Sequence, residues 1–146
     1  MGVLSLAPAK ASMDTMMSPL RPAAFAFDAI APTFDSRFGA WASVAAQRRA
    51  VRTALLQAFS SRGHILELGG GTGEDAAFLA ERGCDVLLTD PSPAMVAQAK
   101  AKLAPLAAQA EIVAGEETED FAASHLSAGG VLFDGAFSNF AALNCV

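Results

Sequence analysis

The sequence predicts an α/β fold, a parallel sheet covered by helices on both faces, and three observations carry that prediction. The apolar residues Ile65, Leu66 and Leu68 stop at Gly69-Gly70-Gly71-Thr72-Gly73, and helix-forming residues follow at once, the pattern of strand, tight turn and helix. A second run, Cys84 to Thr89, ends at Asp90-Pro91 and again leads into a helical pattern. The composition agrees: 53% of the 146 residues are hydrophobic and the mean hydropathy is +0.36, as expected for strands buried on both faces.

This length suits one domain with a real core. The apolar runs fall far short of the ~20 residues a membrane-spanning helix needs. Ten basic residues stand against 15 acidic ones, a formal charge of -5, and the one basic cluster is Arg48, Arg49 and Arg52 on a single helix. That balance argues against nucleic acid as an obligatory partner. Two cysteines, Cys84 and Cys145, with no CxxC or His/Cys cluster, point to buried thiols, a reducing compartment and no metal site. The N-terminus lacks a basic n-region and Pro8 and Lys10 interrupt its apolar run, so a secretory signal is not expected and the cytoplasm is the default location.

Taken in order, residues 1–21 mix Met, Ser, Ala and Pro without periodicity and read as a loose leader. Residues 22–60 read as an N-terminal helical cap. Phe25, Phe27, Ile30, Phe34 and Phe38 suit a short helix, a break at Pro32 and a second turn. Trp41 to Phe59 suits a longer helix with Val44, Val51, Leu55 and Phe59 on one stripe. In residues 61–146, Glu74 to Arg82 suits a helix stopped by Gly83. Ser92-Pro93 supplies an N-cap and an N1 proline for a helix through Leu103. Glu111 to Gly115 suits a third strand, and Glu116 to Asp120 an acidic loop entering another helix. Phe133 to Asn139 suits a fourth strand, with Asp134 at its start and Ser138 and Asn139 at its tip. His64 and His125 have no ligand-spaced partner and read as structural or surface residues.

The glycine turn carries the chemistry. Without side chains it lets a ligand lie against the backbone, and N–H groups at the helix start would point at the ligand. A dinucleotide turn, G-x-G-x-x-G, fits Gly69 and Gly71 but meets Glu74 at its third position, where a carboxylate repels a pyrophosphate. Read as G-x-G-x-G (Gly69, Gly71, Gly73) after the acidic Glu67, the turn resembles motif I of class I S-adenosylmethionine-dependent methyltransferases. A cationic donor would make nearby carboxylates an asset. Phe27-Asp28 and Phe34-Asp35 resemble the "YD…YD" region of the ubiquinone-biosynthesis-like group in shape only, since the chain has no tyrosine.

The resemblance implies a Rossmann-like doubly wound sheet of order 3-2-1-4-5-7-6, with S-adenosyl-L-methionine as cofactor. It implies that Glu67, Gly69, Gly70, Gly71, Thr72 and Gly73 form the donor turn, and that Asp90 accepts both ribose hydroxyls, with Pro91 beside it. Met95 would lie against the adenine, Glu116 would stand where the family often holds the exocyclic amine, and Ser138 and Asn139 would border the transfer cleft. Asp90 also has a purely local reading as a turn-forming Asp-Pro, and Met95 one as core. Only four strands are found before Val146, so the chain reads as truncated after strand four of seven, the cofactor-binding half of a larger enzyme. Either the missing C-terminal half or a second copy would cover strand four, whose edge is otherwise unpaired. The expected activity is methyl transfer to a small-molecule acceptor, with no general base assigned. The alternatives are an NAD-dependent oxidoreductase and a non-catalytic module of the same fold.

Overall fold

The computed structural model describes residues 22–59, 61–106, 108–114 and 117–140. The leader, Glu116 and Cys145 lie outside the described residues. Four strands form one sheet in the order β3-β2-β1-β4, all parallel. They are β1 (His64–Leu68), β2 (Asp85–Asp90), β3 (Ala108–Ile112) and β4 (Gly135–Ser138). The helices are α1 (Pro22–Ile30), α2 (Phe34–Phe38), α3 (Ala42–Ala58), α4 (Glu74–Ala80), α5 (Pro93–Leu103) and α6 (Thr118–Ser127), with a 3-10 turn at Ala31–Thr33 between the first two. This is the Rossmann-like α/β architecture the sequence predicts, and the strand order is that of its first four strands.

The core lies between the inner strands and the helices that follow them. Ile65, Val86 and Leu88 from β1 and β2 are wholly buried and pack with Leu55 of α3, Leu79 of α4, and Val96, Ala99 and Leu103 of α5. Three fully buried residues of the size of Leu88 contribute about 1.5–3 kcal/mol each relative to exposure. Two glycines are dictated by this packing. A Cβ on Gly70 would stand 2.5 Å from Leu88 Cδ1 and 2.8 Å from Glu67 Cδ, and one on Gly135 would collide with the Phe59 ring.

α4 begins at Glu74 and ends sooner than the sequence suggests, at Ala80, with Gly83 turning the chain at φ +92. α5 begins as its residues predict: Ser92 is the N-cap, its Oγ accepts from Met95 N at 3.1 Å, and Pro93 opens the helix. β3 differs from expectation. It starts at Ala108, three residues before Glu111, because Ala108, Gln109 and Ala110 pair with Val86, Leu87 and Leu88. Alanine favours helix in isolation, and the open edge of β2 overrides that preference.

Candidate functional site

The loops at the carboxyl ends of β1 and β2 meet in one place, and hydrogen bonds lock them together. Gly69 N and Gly70 N both donate to Thr89 O, at 2.8 and 3.1 Å. Gly71 N donates to Asp90 Oδ2 at 2.9 Å, and Ser92 N donates to Asp90 Oδ1 at 2.9 Å. Asp90 is therefore oriented by one N–H from each loop. Each of its oxygens keeps a second lone pair for a further donor. Burial pushes its pKa above the ordinary 3.8, the Ser92 and Gly71 N–H groups oppose that shift, and the nearby Asp28 charge adds to it.

The turn behaves differently from the sequence expectation in one respect. Gly69, Gly70 and Gly71 donate as above, and Gly73 N donates to Gly70 O at 3.1 Å, so these N–H groups are committed inside the protein. Two of the turn's carbonyls are used as well, Gly70 O by Gly73 N and Gly73 O by Ala77 N at 2.9 Å. Gly69, Gly71 and Gly73 have φ of 67, 57 and 82, the left-handed region that glycine enters without strain. A Cβ on Gly71 would meet nothing within 4 Å, so this glycine faces open space. Gly70, by contrast, faces the core.

The carboxylates divide by position. Glu67 is 2% exposed and lies beneath the turn, with Oε2 lacking a hydrogen-bond partner among the described residues. Burial holds its pKa well above 4.5; neighbouring Asp75 raises it further, while the Ala76 N–H and Arg48 pull it down. Glu74 does not face the ligand side alone, as the sequence reading supposed. It pairs with Lys102 Nζ, and its Oε2 lies 3.6 Å from Arg52 and 3.8 Å from Arg48. Its repulsion of a bound pyrophosphate is correspondingly weakened.

The other predicted positions are distributed as follows. Thr72 is buried and donates from Oγ1 to Asp35 Oδ1 at 2.6 Å. Pro91 is half-buried between Asp90 and Ser92. Met95 is 2% exposed, which places it in the core as the local reading proposed. Ser138 is exposed at the end of β4, in register with Leu68. Asn139 Nδ2 donates to Asp75 Oδ2 at 2.9 Å, tying the β4 tip to the start of α4.

Sequence reasoning missed the charge network around that helix start. Asp75 is 4% exposed and its Oδ1 accepts from Arg52 Nε at 3.2 Å, with Arg48 3.7 Å away. The basic cluster on α3 therefore neutralises the acidic first turn of α4. The available signal was two arginines four residues apart and Glu74-Asp75, but no spacing rule joins elements more than 20 residues apart. It also missed a three-ring cluster at the opposite end of the sheet, where the Phe133 centroid lies 4.4 Å from His64 and 5.0 Å from His125 and the two imidazoles are 6.1 Å apart.

Two features fit an adenosyl donor: an outward-facing glycine at Gly71, and a pre-oriented carboxylate with spare lone pairs on the adjoining strand. Residues 65–145, more than half the chain, match the family described as methyltransferase domain. The chain belongs to that family. Among solved structures, the chain is similar to one described as a DhpI-SAM-HEP complex, at 25% identity and a TM-score of 0.50, covering 67% of this chain and 45% of that one. It is also similar to a TehB-like SAM-dependent methyltransferase from Corynebacterium glutamicum, at 27% identity, TM-score 0.44, covering 59% of this chain and 46% of that one. A third is an S-adenosylmethionine dependent methyltransferase from Mesorhizobium loti, at 26% identity, TM-score 0.45, covering 61% and 39%. The chain thus spans less than half the length of each of these proteins. A comparison with curated proteins finds no match. Among the described residues, no helix is long and apolar enough to cross a membrane.

Proposed function

We propose that this chain carries the donor-binding part of an S-adenosylmethionine-dependent methyltransferase that acts on a small-molecule acceptor. The observation that carries the reading is the Gly71 N–Asp90 Oδ2 bond of 2.9 Å, which fixes an open glycine turn and a carboxylate at one spacing. Bound S-adenosylmethionine supplies an electrophilic methyl group on a sulfonium that leaves as a neutral thioether. Asp90 then accepts from the two ribose hydroxyls, the turn from Gly69 to Gly73 contacts the methionine portion, and Pro91 borders the nucleoside. Glu116, Ser138 and Asn139 remain candidate contacts in this reading, while Met95 supports the loop from below.

The residues described here bind and orient; none is assigned as a base. Positioning alone can supply much of the acceleration, up to ~7–11 kcal/mol in favourable cases. Calorimetric titration with S-adenosylhomocysteine and with NAD tests the reading. Heat from the first and none from the second is expected; binding of NAD alone would replace the reading with an oxidoreductase.

A further inference from the structure

Two aspartates from the N-terminal helices reach the two loops of the candidate donor site. Asp28, on α1, accepts through Oδ1 from Ser92 Oγ at 2.6 Å and from Ala94 N at 3.0 Å. Ser92 is completely buried, and its own N–H is one of the two that orient Asp90. Asp28 is thus one residue removed from Asp90. Asp35, on α2, accepts from Thr72 Oγ1 at 2.6 Å and from Lys102 Nζ at 2.6 Å. Thr72 stands between Gly71 and Gly73, inside the turn itself.

The arrangement is symmetrical in purpose. One carboxylate grips the loop after β2 and the other grips the loop after β1, and the Gly71–Asp90 bond joins the two loops between them. Asp35 has a side chain 43% exposed, so core packing does not account for its placement. Charge-assisted hydrogen bonds of this length are the stronger kind, and a misplacement of an ångström at a binding site is costly.

We propose that Asp28 and Asp35 are positioning residues for the methyl donor, acting through Ser92 and Thr72 to hold Asp90 and the glycine turn at binding distance. The inference rests on the donor reading above. It has a second consequence that needs no ligand. The charged group acting on Asp90 is Asp28 from α1, with the Ser92 and Gly71 N–H groups opposing it. Removing the Asp28 charge while keeping its acceptor oxygen therefore lets Asp90 ionise at lower pH.

The test uses Asp28→Ala, Asp28→Asn and Asp35→Ala, each checked for a cooperative melt. Both alanine variants are expected to bind S-adenosylhomocysteine about tenfold more weakly than the unaltered chain, the scale of one hydrogen bond carried through to the ligand. Asp28→Asn is expected to recover most of that affinity. In ligand-free protein, the carboxyl titration of Asp90 followed by carbon NMR is expected to move to lower pH in Asp28→Asn. Unchanged affinity in both folded alanine variants overturns the inference and leaves the donor reading intact. If the unaltered chain binds no S-adenosylhomocysteine, the donor reading fails. The inference falls with it, since it rests on that reading.

Discussion

The unit β1-α4-β2-α5 and the unit α6-β4 end in very different burial. In β2, five of six residues are buried, and α5 buries Met95, Val96, Ala99 and Leu103. In β4 half-buried and exposed residues alternate, and α6 buries none of its ten residues. Among the described residues, strands β1 and β2 each have a partner on both edges, whereas β3 and β4 each have one. Exposure here follows position as well as composition: Ile112 at the end of edge strand β3 is 56% exposed, whereas Ile65 in the central β1 is fully buried. The candidate donor site lies where the well-buried unit ends, so its loops are anchored on the most deeply buried strands, as a preorganised site requires.

The contrast can be broken by substitutions placed on its two sides. Leu88→Ala, at a completely buried position of β2, is expected to lower stability by about 2–5 kcal/mol in urea denaturation; a loss under 1 kcal/mol would mean the inner unit is not the core. Gly71→Val is expected to abolish S-adenosylhomocysteine binding in calorimetry, because the side chain fills the open face of the turn. Its left-handed backbone adds about 1–2 kcal/mol of strain, so the variant should still fold. Asp90→Ala is expected to weaken the same binding by about 1–3 kcal/mol, the usual loss for charge-assisted bonds. Unchanged affinity would remove the carboxylate from the site.

Glu67 probes the floor beneath the turn. Its folded pKa is raised, chiefly by burial, so the folded chain keeps a proton that the unfolded chain releases near 4.5. Its stabilising contribution is therefore present below that value and lost as pH rises toward the folded pKa. Urea midpoints measured over a pH series should show a fall that Glu67→Gln removes, with the variant the more stable protein at neutral pH. Parallel pH profiles would place the proton elsewhere. The smallest effect belongs to the outer unit: Leu126→Ala in α6, 47% exposed, is expected to change stability by less than about 0.5 kcal/mol.

Much of the inner unit was legible because its signals are local. Ser92-Pro93, Gly83 and the Gly69–Gly73 turn each act on the next few residues, and the structure puts helix starts and the left-handed backbone there. Candidate site residues were less so. Asp90 could be placed from the length of a β-α-β unit, and Met95 was left open between ligand and core, which burial now favours as core. The "FD…FD" pair was noticed for its aromatic shape, and its carboxylates turned out to hold the loops. No local rule could show that, since Asp28 and Ser92 are 64 residues apart and Asp35 and Thr72 are 37 apart.

The order of the first four strands came from the family resemblance alone; by itself the sequence determined the parallel α/β sheet, the glycine turn and the acid after the second strand. These follow from periodicity, chirality and backbone stereochemistry acting over short stretches. Only the tertiary structure decided which N–H groups the turn spends internally, that Glu67 lies under the turn, and that Glu74 and Asp75 are neutralised by Lys102, Arg48 and Arg52. Hydrogen bonds and ion pairs choose partners by distance in space, and the packing of α1, α2 and α3 onto the loops sets those distances.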